Sequence, residues 1–216
     1  GWCVGQTRVA RRVPVIVVGR GGSKGIPRKN LIDFCGRPLL DWTIEYGLAS
    51  SSAIGVWVST DDEEIARAAH AAGAEVITRP AALAEDNSSS ESGWLHALDE
   101  LDERGVRAEV FAALQPTSPL RLRDDLDRAV AIMERQQFDS VFSGSVFDDL
   151  TLWESSASQG LVAVNHDPVR RLPRQEVPTP IVENGSIYLM RSALLRSSGF
   201  RFAGRVGYSA NQAWQV

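Results

Sequence analysis

Short apolar runs alternate along this chain with longer stretches whose apolar residues recur at helical spacing. VPVIVV (Val13 to Val18) is a continuous apolar run of strand length, the pattern of a strand covered on both faces. PLLDWTIEYGLAS then places Leu39, Leu40, Thr43, Ile44 and Gly47 on one face of a helix. IGVWVS (Ile54 to Ser59) predicts the next strand. It runs into TDDEEIARAAHAAG, a helix expected to open on a capping box of Thr60 and Glu63 and to stop at Gly73. EVIT is a third short strand. The polar loop RPAALAEDNSSSE leads to a helix through Trp94, Leu95, Leu98 and Leu101. EVFAALQ is a fourth strand, closed by PTSPLR, and DDLDRAVAIMERQ is another helix.

Connections this short between alternating strands and helices predict an α/β fold with a mostly parallel sheet covered by helices on both faces. After Gln137 the texture changes. SVFSGSV, LVAVN, GSIYLM and FRFAGRV read as strands, and a proline-punctuated connection, HDPVRRLPRQEVPTPIVENG, joins the middle pair. A loop that long is usually functional or reaches into a partner. The expected plan is an N-terminal extension over 1–12 and one domain over 13–216, with a small β-rich dimerisation or substrate extension within about 138–190. Four polar clusters, Gly19 to Asn30, Ser59 to Asp62, Arg79 to Ser90 and Gln115 to Arg121, each follow a predicted strand. In an open α/β sheet these carboxyl ends share one edge, where ligands bind.

Composition narrows the picture. The 216 residues carry a formal charge of -4, so no broad nucleic-acid surface is expected and any basic cluster must be local. Cys3 and Cys35 are too few for a disulfide framework, which points to a reducing cytoplasm. No apolar run approaches a membrane span, and GWCVGQTRVARR lacks the order of a signal peptide. The chain begins at Gly1, an expectation of processing or of a piece of a longer chain.

GRGGSKGIPRKN (Gly19 to Asn30) sets four cations among glycines in twelve residues. Glycines let backbone N–H groups approach an anion, and Arg20, Lys24, Arg28 and Lys29 supply countercharge, as a polyphosphate requires. A Walker A loop needs Ser or Thr after its lysine, where Gly25 stands. A dinucleotide fingerprint needs a small residue where Lys24 stands. On these residues alone, a phosphate cradle and a flexible basic surface loop both remain open.

The same loop, with STDDEEIA (Ser59 to Ala66), RPAALAED (Arg79 to Asp86), LQPTSPLR (Leu114 to Arg121), PRQEVP (Pro173 to Pro178) and ENGSIY (Glu183 to Tyr188), resembles the acylneuraminate (CMP-sialic acid) cytidylyltransferase family in order and spacing. The resemblance runs from about Val13 to about Phe202, with Gly19 in place of the usual alanine. It implies a nucleotide-diphospho-sugar transferase-like fold, CTP and a 2-keto sugar acid as substrates, Mg2+ as cofactor, and a homodimer without nucleic-acid or membrane partners. Residue by residue it implies that Arg20 and Lys24 act in catalysis. It places Gly21, Gly22, Ser23, Lys29, Asn30, Arg79 and Ser90 on the nucleotide. Gln115, Thr117, Ser118, Arg174, Asn184 and Tyr188 are placed on the sugar acid, with Phe200 or Phe202 as an apolar wall.

One family feature is missing. The paired aspartates that help bind Mg2+ are expected about where the chain ends, at Val216, so no metal ligand is assigned. Either a longer chain supplies them or this is a divergent member, and the first is favoured. A sibling with another acceptor or base, and a nucleotide-binding module without catalysis, are the alternatives. Asp61 and Asp62 read as residues favouring a helix dipole. His70, His96 and His166 do not cluster at zinc spacing. Trp42, Trp57 and Trp94 read as packing residues, and no nucleophile elbow is present.

Overall fold

The computed structural model describes residues 11–22, 25–85, 87–147, 150–170, 172, 173, 176 and 179–215. The chain opens with β1 (Val13–Val18), followed after the glycine-rich loop by a short hairpin of β2 (Asp33–Phe34) and β3 (Arg37–Pro38). Then come α1 (Leu39–Ala49), β4 (Ala53–Thr60), α2 (Glu63–Ala71), β5 (Glu75–Thr78) and α3 (Ser90–Glu103). β6 (Val110–Leu114), α4 (Asp125–Gln136) and β7 (Ser140–Val146) continue the alternation. The remainder is β8 (Trp153–Ser156), β9 (Gly160–Ala163), β10 (Ile181–Arg191), α5 (Ser192–Ser198) and β11 (Val206–Ala210).

Seven strands form one sheet in the order β11-β7-β10-β6-β1-β4-β5. β1 pairs in parallel with β4 and β6, and β10 alone runs against its neighbours β6 and β7. The expected mostly parallel sheet is thus present. β7, β10 and β11 extend it, and the small separate β-rich piece is the β8–β9 hairpin. Alternation along β1 explains the two cores. Val13, Val15 and Val17 meet α1, α2 and α4 through Leu40, Ile44, Ile65, Leu126 and Met133. Ile16 faces the other way, toward α3 and α5 through Trp94, Leu98, Leu101 and Leu195.

Two local expectations are corrected. The N-cap of α2 is Asp62, whose Oδ1 accepts from the N–H groups of Glu64 and Ile65. β4 runs through Thr60, so the helix starts later than a Thr60–Glu63 box requires. The FRFAGRV stretch is not a strand until Val206. Before it, Gly204 sits at φ +73, with Asp139 so close that a Cβ would come within 2.5 Å of a carboxylate oxygen. Asp139 also accepts from the Arg205 N–H at 2.8 Å, which fixes a turn there. Trp57 and Trp94 are buried as expected. Trp42 is only half-buried, packed under the Arg37 guanidinium at 3.5 Å and edge-on to Phe34.

A fully buried carboxylate, Asp125, ties the far end together. It accepts from the Leu122 N–H at 2.8 Å and from Gln215 Nε2 at 2.8 Å, and pairs with Arg128. Asn211 Nδ2 also reaches it at 3.4 Å, so Asp125→Ala would strip four donors of this acceptor at once. Loss of a buried charge of this kind costs about 3 kcal/mol or more. A matching fall in the urea midpoint checks it, and a change below about 1 kcal/mol would show that water replaces the carboxylate.

Candidate functional site

The order β5-β4-β1-β6 reverses chain direction of growth between β1 and β6, the switch point where such sheets open a crevice at their carboxyl edge. A cleft of about 270 Å³ lies there, lined by Arg20, Lys29 and Asn30 after β1, Arg79 and residues 83–85 after β5, Ser88 to Ser90 at the start of α3, and Gln115 to Thr117 after β6. The fourth polar segment joins through Asp61, whose Oδ1 accepts from the Gly21 N–H at 3.3 Å and lies 3.6 Å from Arg79 Nη2. All four polar clusters therefore meet.

Backbone geometry positions the glycine-rich side. Gly19 N–H bonds the Ser59 carbonyl at 3.0 Å, extending the β1–β4 pairing by one rung. The buried Asn30 reaches back to the Arg20 carbonyl at 3.3 Å, and Arg20 Nη1 bonds the Glu85 carbonyl at 3.0 Å. Gly21 must be glycine, because a Cβ would come within 2.5 Å of Asp62 Oδ2, while beside Gly22 a Cβ would meet nothing within 4 Å. Among the described loop cations, Arg28 differs from Arg20 and Lys29: it pairs with Glu64 on α2 and does not line the cleft. Ser23, Lys24 and Arg174 lie outside the described residues.

Arg79 dominates the electrostatics. Its side chain is 6% exposed, and Nε and Nη2 have no hydrogen-bond partner among the described residues. Burial pulls its pKa below the ordinary guanidinium value and nearby Arg20 pushes the same way, while Asp61 pulls it back. A shielded cation with unused donors facing a cleft suits carbonyl or phosphate oxygens.

Beside the Gln115 edge of the cleft lies β10, and Ser118, Asn184 and Tyr188, expected in the site, are not among the residues that line the cleft itself. Between Glu183 and Tyr188 its pairing with β7 slips, a bulge of the kind that re-aims side chains at functional sites. Gly185 takes φ +69, and a Cβ there would sit 3.4 Å from Gln115 Oε1 and 3.9 Å from the Tyr188 hydroxyl. Asn184 Oδ1 accepts from Ser143 Oγ at 2.6 Å and Ser186 N–H at 3.1 Å, while its Nδ2 is buried without a partner among the described residues. Ser118 Oγ bonds the Asn184 carbonyl at 3.5 Å. Tyr188 donates to Glu183, and burial, reinforced by that carboxylate, pushes its pKa up to about 12, so the hydroxyl stays neutral. Phe202 packs against Tyr188 at 6.2 Å between ring centroids, whereas Phe200 is 72% exposed.

Two residues absent from the sequence reading, Arg201 and Glu91, pack next to Tyr188 outside the cleft lining. Arg201 lies 4.8 Å from the ring centroids of both Trp94 and Tyr188 and donates to Glu91 at 2.6 Å. It was hidden inside a stretch that reads as a strand. For Glu91, burial raises the pKa, but the hydrogen bond and charge of Arg201 together with a backbone bond leave it below 4.5. A depressed carboxyl contributes stability that is fully present above the unfolded value and lost as pH falls through the folded one. Glu91→Gln should therefore lose less stability than the wild type when urea midpoints are compared at pH 7 and pH 3. Equal losses would remove the pair from the acid response.

No group of three or more His, Cys, Asp or Glu side chains among the described residues could hold a metal ion. Asp61 is engaged with Arg79 and Gly21 and Asp62 with the α2 cap, so these residues do not fit a Mg2+ cage. Nor is any helix among the described residues long and apolar enough to cross a membrane.

Comparison with known proteins gives the family and the fold. Residues 14–201 match a family model described as Cytidylyltransferase. The chain is 33% identical over 214 residues to N-acylneuraminate cytidylyltransferase A of Danio rerio, covering 98% of this chain and 49% of that protein. It is 36% identical over 134 residues to a pseudaminic acid cytidylyltransferase of Campylobacter jejuni, covering 62% and 58%. The chain thus spans about half the length of the curated relatives it matches. In fold it is similar to a CMP:2-keto-3-deoxy-manno-octonic acid synthetase complexed with CTP, with a TM-score of 0.66, 19% identity and coverage of 87% of this chain and 77% of that one.

Proposed function

Because the chain belongs to the cytidylyltransferase family, we propose that it transfers CMP from CTP to the anomeric hydroxyl of a nonulosonic or related 2-keto sugar acid. The acceptor oxygen forms a bond to the α-phosphorus, the bond from that phosphorus to the β-bridging oxygen breaks, and pyrophosphate leaves with the electron pair. The hydroxyl proton passes to solvent. Such a transfer needs positioning and neutralisation of developing charge more than a strong base.

The observation that carries this reading is the meeting of Arg20, Lys29 and Asn30 with Arg79, Ser90 and Gln115 around one cleft. In it, Arg20, Lys29 and the Gly21–Gly22 backbone hold the triphosphate, with Ser23 and Lys24 added on sequence grounds. Asn30, Arg79 and Ser90 hold the nucleoside. Gln115, Thr117, Ser118, Asn184 and Tyr188 hold the sugar acid, with Arg174 added in the same way. Mg2+ is implied by the resemblance; its ligands are not among the residues just described, and no step is assigned to it.

The test is pyrophosphate release by the full-length gene product from CTP and Mg2+ across a panel of sugar acids. Acid-dependent release with CTP is expected. Release with GTP but not CTP would overturn the base assignment, and stabilisation by CTP without release for any acid would leave a binding module.

The proposal extends to a cytoplasmic homodimer. Its support is the β8–β9 hairpin, which exposes Trp153 and Leu161 with neighbouring Leu152 and Val164, an apolar patch that a second copy would cover. Sedimentation should give twice the monomer mass and Leu161→Asp the monomer; a monomeric wild type would exclude it.

A further inference from the structure

Arg121 follows the Gln115–Thr117 lining but does not itself line the cleft. Its guanidinium bonds three segments far apart in sequence. Nη1 donates to Thr43 Oγ1 on α1 at 2.9 Å. Nη2 donates to the Gln115 carbonyl at 2.6 Å and to the Ser186 carbonyl at 3.1 Å. The same Ser186 carbonyl accepts from the Gln115 N–H at 3.3 Å, and the Gln115 carbonyl from the Ser118 N–H at 3.2 Å. Gln115 and Ser186 therefore form the last rung between β6 and β10, and Arg121 caps both of its carbonyls.

Among the described residues no carboxylate comes within ion-pair distance of Arg121. Its Nε is shut off from solvent without a partner there, and the nearest aromatic face is Tyr46 at 5.3 Å. Burial lowers its pKa to about 10, with Tyr46 and Asp125 opposing the fall, so it stays charged at neutral pH. A half-buried cation bonded to two carbonyls and a hydroxyl instead of a carboxylate is an expensive device for joining two strands. What it joins is specific: Gln115 on one side, and on the other the Asn184–Gly185 bend, where Gly185 already faces Gln115 Oε1.

We propose that Arg121 is the positioning residue of the sugar-acid half of the site, fixing Gln115 and the Asn184–Gly185 bend against each other while touching no substrate. The inference rests on the sugar-acid reading above and concerns one residue within it. A planar fork can serve three acceptors in fixed directions, and a lysine ammonium of the same charge cannot reproduce that geometry. Displacement of a positioning group by about 1 Å costs on the order of 10²-fold.

The test compares wild type, Arg121→Lys, Arg121→Met and Thr43→Val, measuring equilibrium binding of CTP and of N-acetylneuraminic acid separately, then kcat/KM for each. The expected result is a loss of about 10²-fold in kcat/KM for the acid and at least about tenfold in its binding for both Arg121 variants. CTP binding should stay within about twofold, and lysine should not rescue. If the Arg121 variants do not fold, Thr43→Val, which removes one of the three bonds, should shift acid binding alone by a few-fold. Equal losses for CTP and acid, unchanged acid binding, or full rescue by lysine would overturn the assignment, as would a wild type that binds CTP but no acid. Absence of pyrophosphate release by a wild type that binds both ligands would count against nucleotidyl transfer and leave the binding comparison to decide Arg121.

Discussion

Arg20→Ala should lower turnover by roughly 10²–10³-fold, the loss associated with removing one preorganised donor from a developing negative charge. Arg20 stands at the carboxyl end of β1 and is anchored by its bond to the Glu85 carbonyl. Its side chain is near enough to Arg79 to depress that residue's pKa, so two guanidinium groups face one cleft with Asp61 alongside. Charge builds on the departing pyrophosphate in the transition state, so the loss should appear mainly in kcat, with CTP binding weakened far less. Arg20→Lys should recover only part of it, because a point charge lacks the fork. Because Arg20 lies at the sheet's open edge, outside both hydrophobic cores, thermal stability should hold. Lys24→Ala is expected to act similarly on sequence grounds. Near-normal turnover in Arg20→Ala would remove that residue from the mechanism.

Arg79→Met should separate binding from folding. The wild-type guanidinium is buried with Nε and Nη2 lacking a hydrogen bond among the described residues and only the Asp61 ion pair at 3.6 Å beside Nη2, so the free protein carries a desolvation cost. A bound nucleotide would supply the missing acceptors. Truncating one side of a buried, hydrogen-bonded charge contact costs about 2–4 kcal/mol, or roughly 30- to 10³-fold in CTP affinity. Methionine fills similar space without a charge, so the unliganded variant should be as stable as the wild type or more so. Calorimetry with CTP and a thermal melt without it check both halves. A destabilised variant with unchanged CTP affinity would make Arg79 a structural residue.

The sequence announced the sheet well because burial on two faces leaves a direct trace. VPVIVV can be little else, and β4 with α2 follows from IGVWVS running into an acidic first turn and an alanine-rich stretch. The meeting of four polar loops was also legible, since carboxyl ends of parallel strands share an edge. What stayed hidden depends on contacts distant in sequence. The α2 cap moved to Asp62 because β4 pairing with β5 extends to Thr60. Arg201 finds Glu91 110 positions away, and Arg121 finds Ser186 across 65. No periodicity records such meetings. Arg28 illustrates the converse: its charge put it with the loop cations, yet Glu64 on the neighbouring helix claims it. The bulge that re-aims Asn184 left one trace, Gly185.

CMP transfer of the kind proposed requires that the cytidine end of the triphosphate stay with the sugar acid and the distal end depart intact. CTP labelled separately at the α- and γ-phosphates, incubated with sugar acid, Mg2+ and the full-length gene product, reads this directly. The α-label should appear in an acid-linked CMP ester and the γ-label in pyrophosphate, in equal amounts and only when acid is present. A γ-label released as inorganic phosphate independently of acid would contradict it and make the cleft a site of triphosphate hydrolysis.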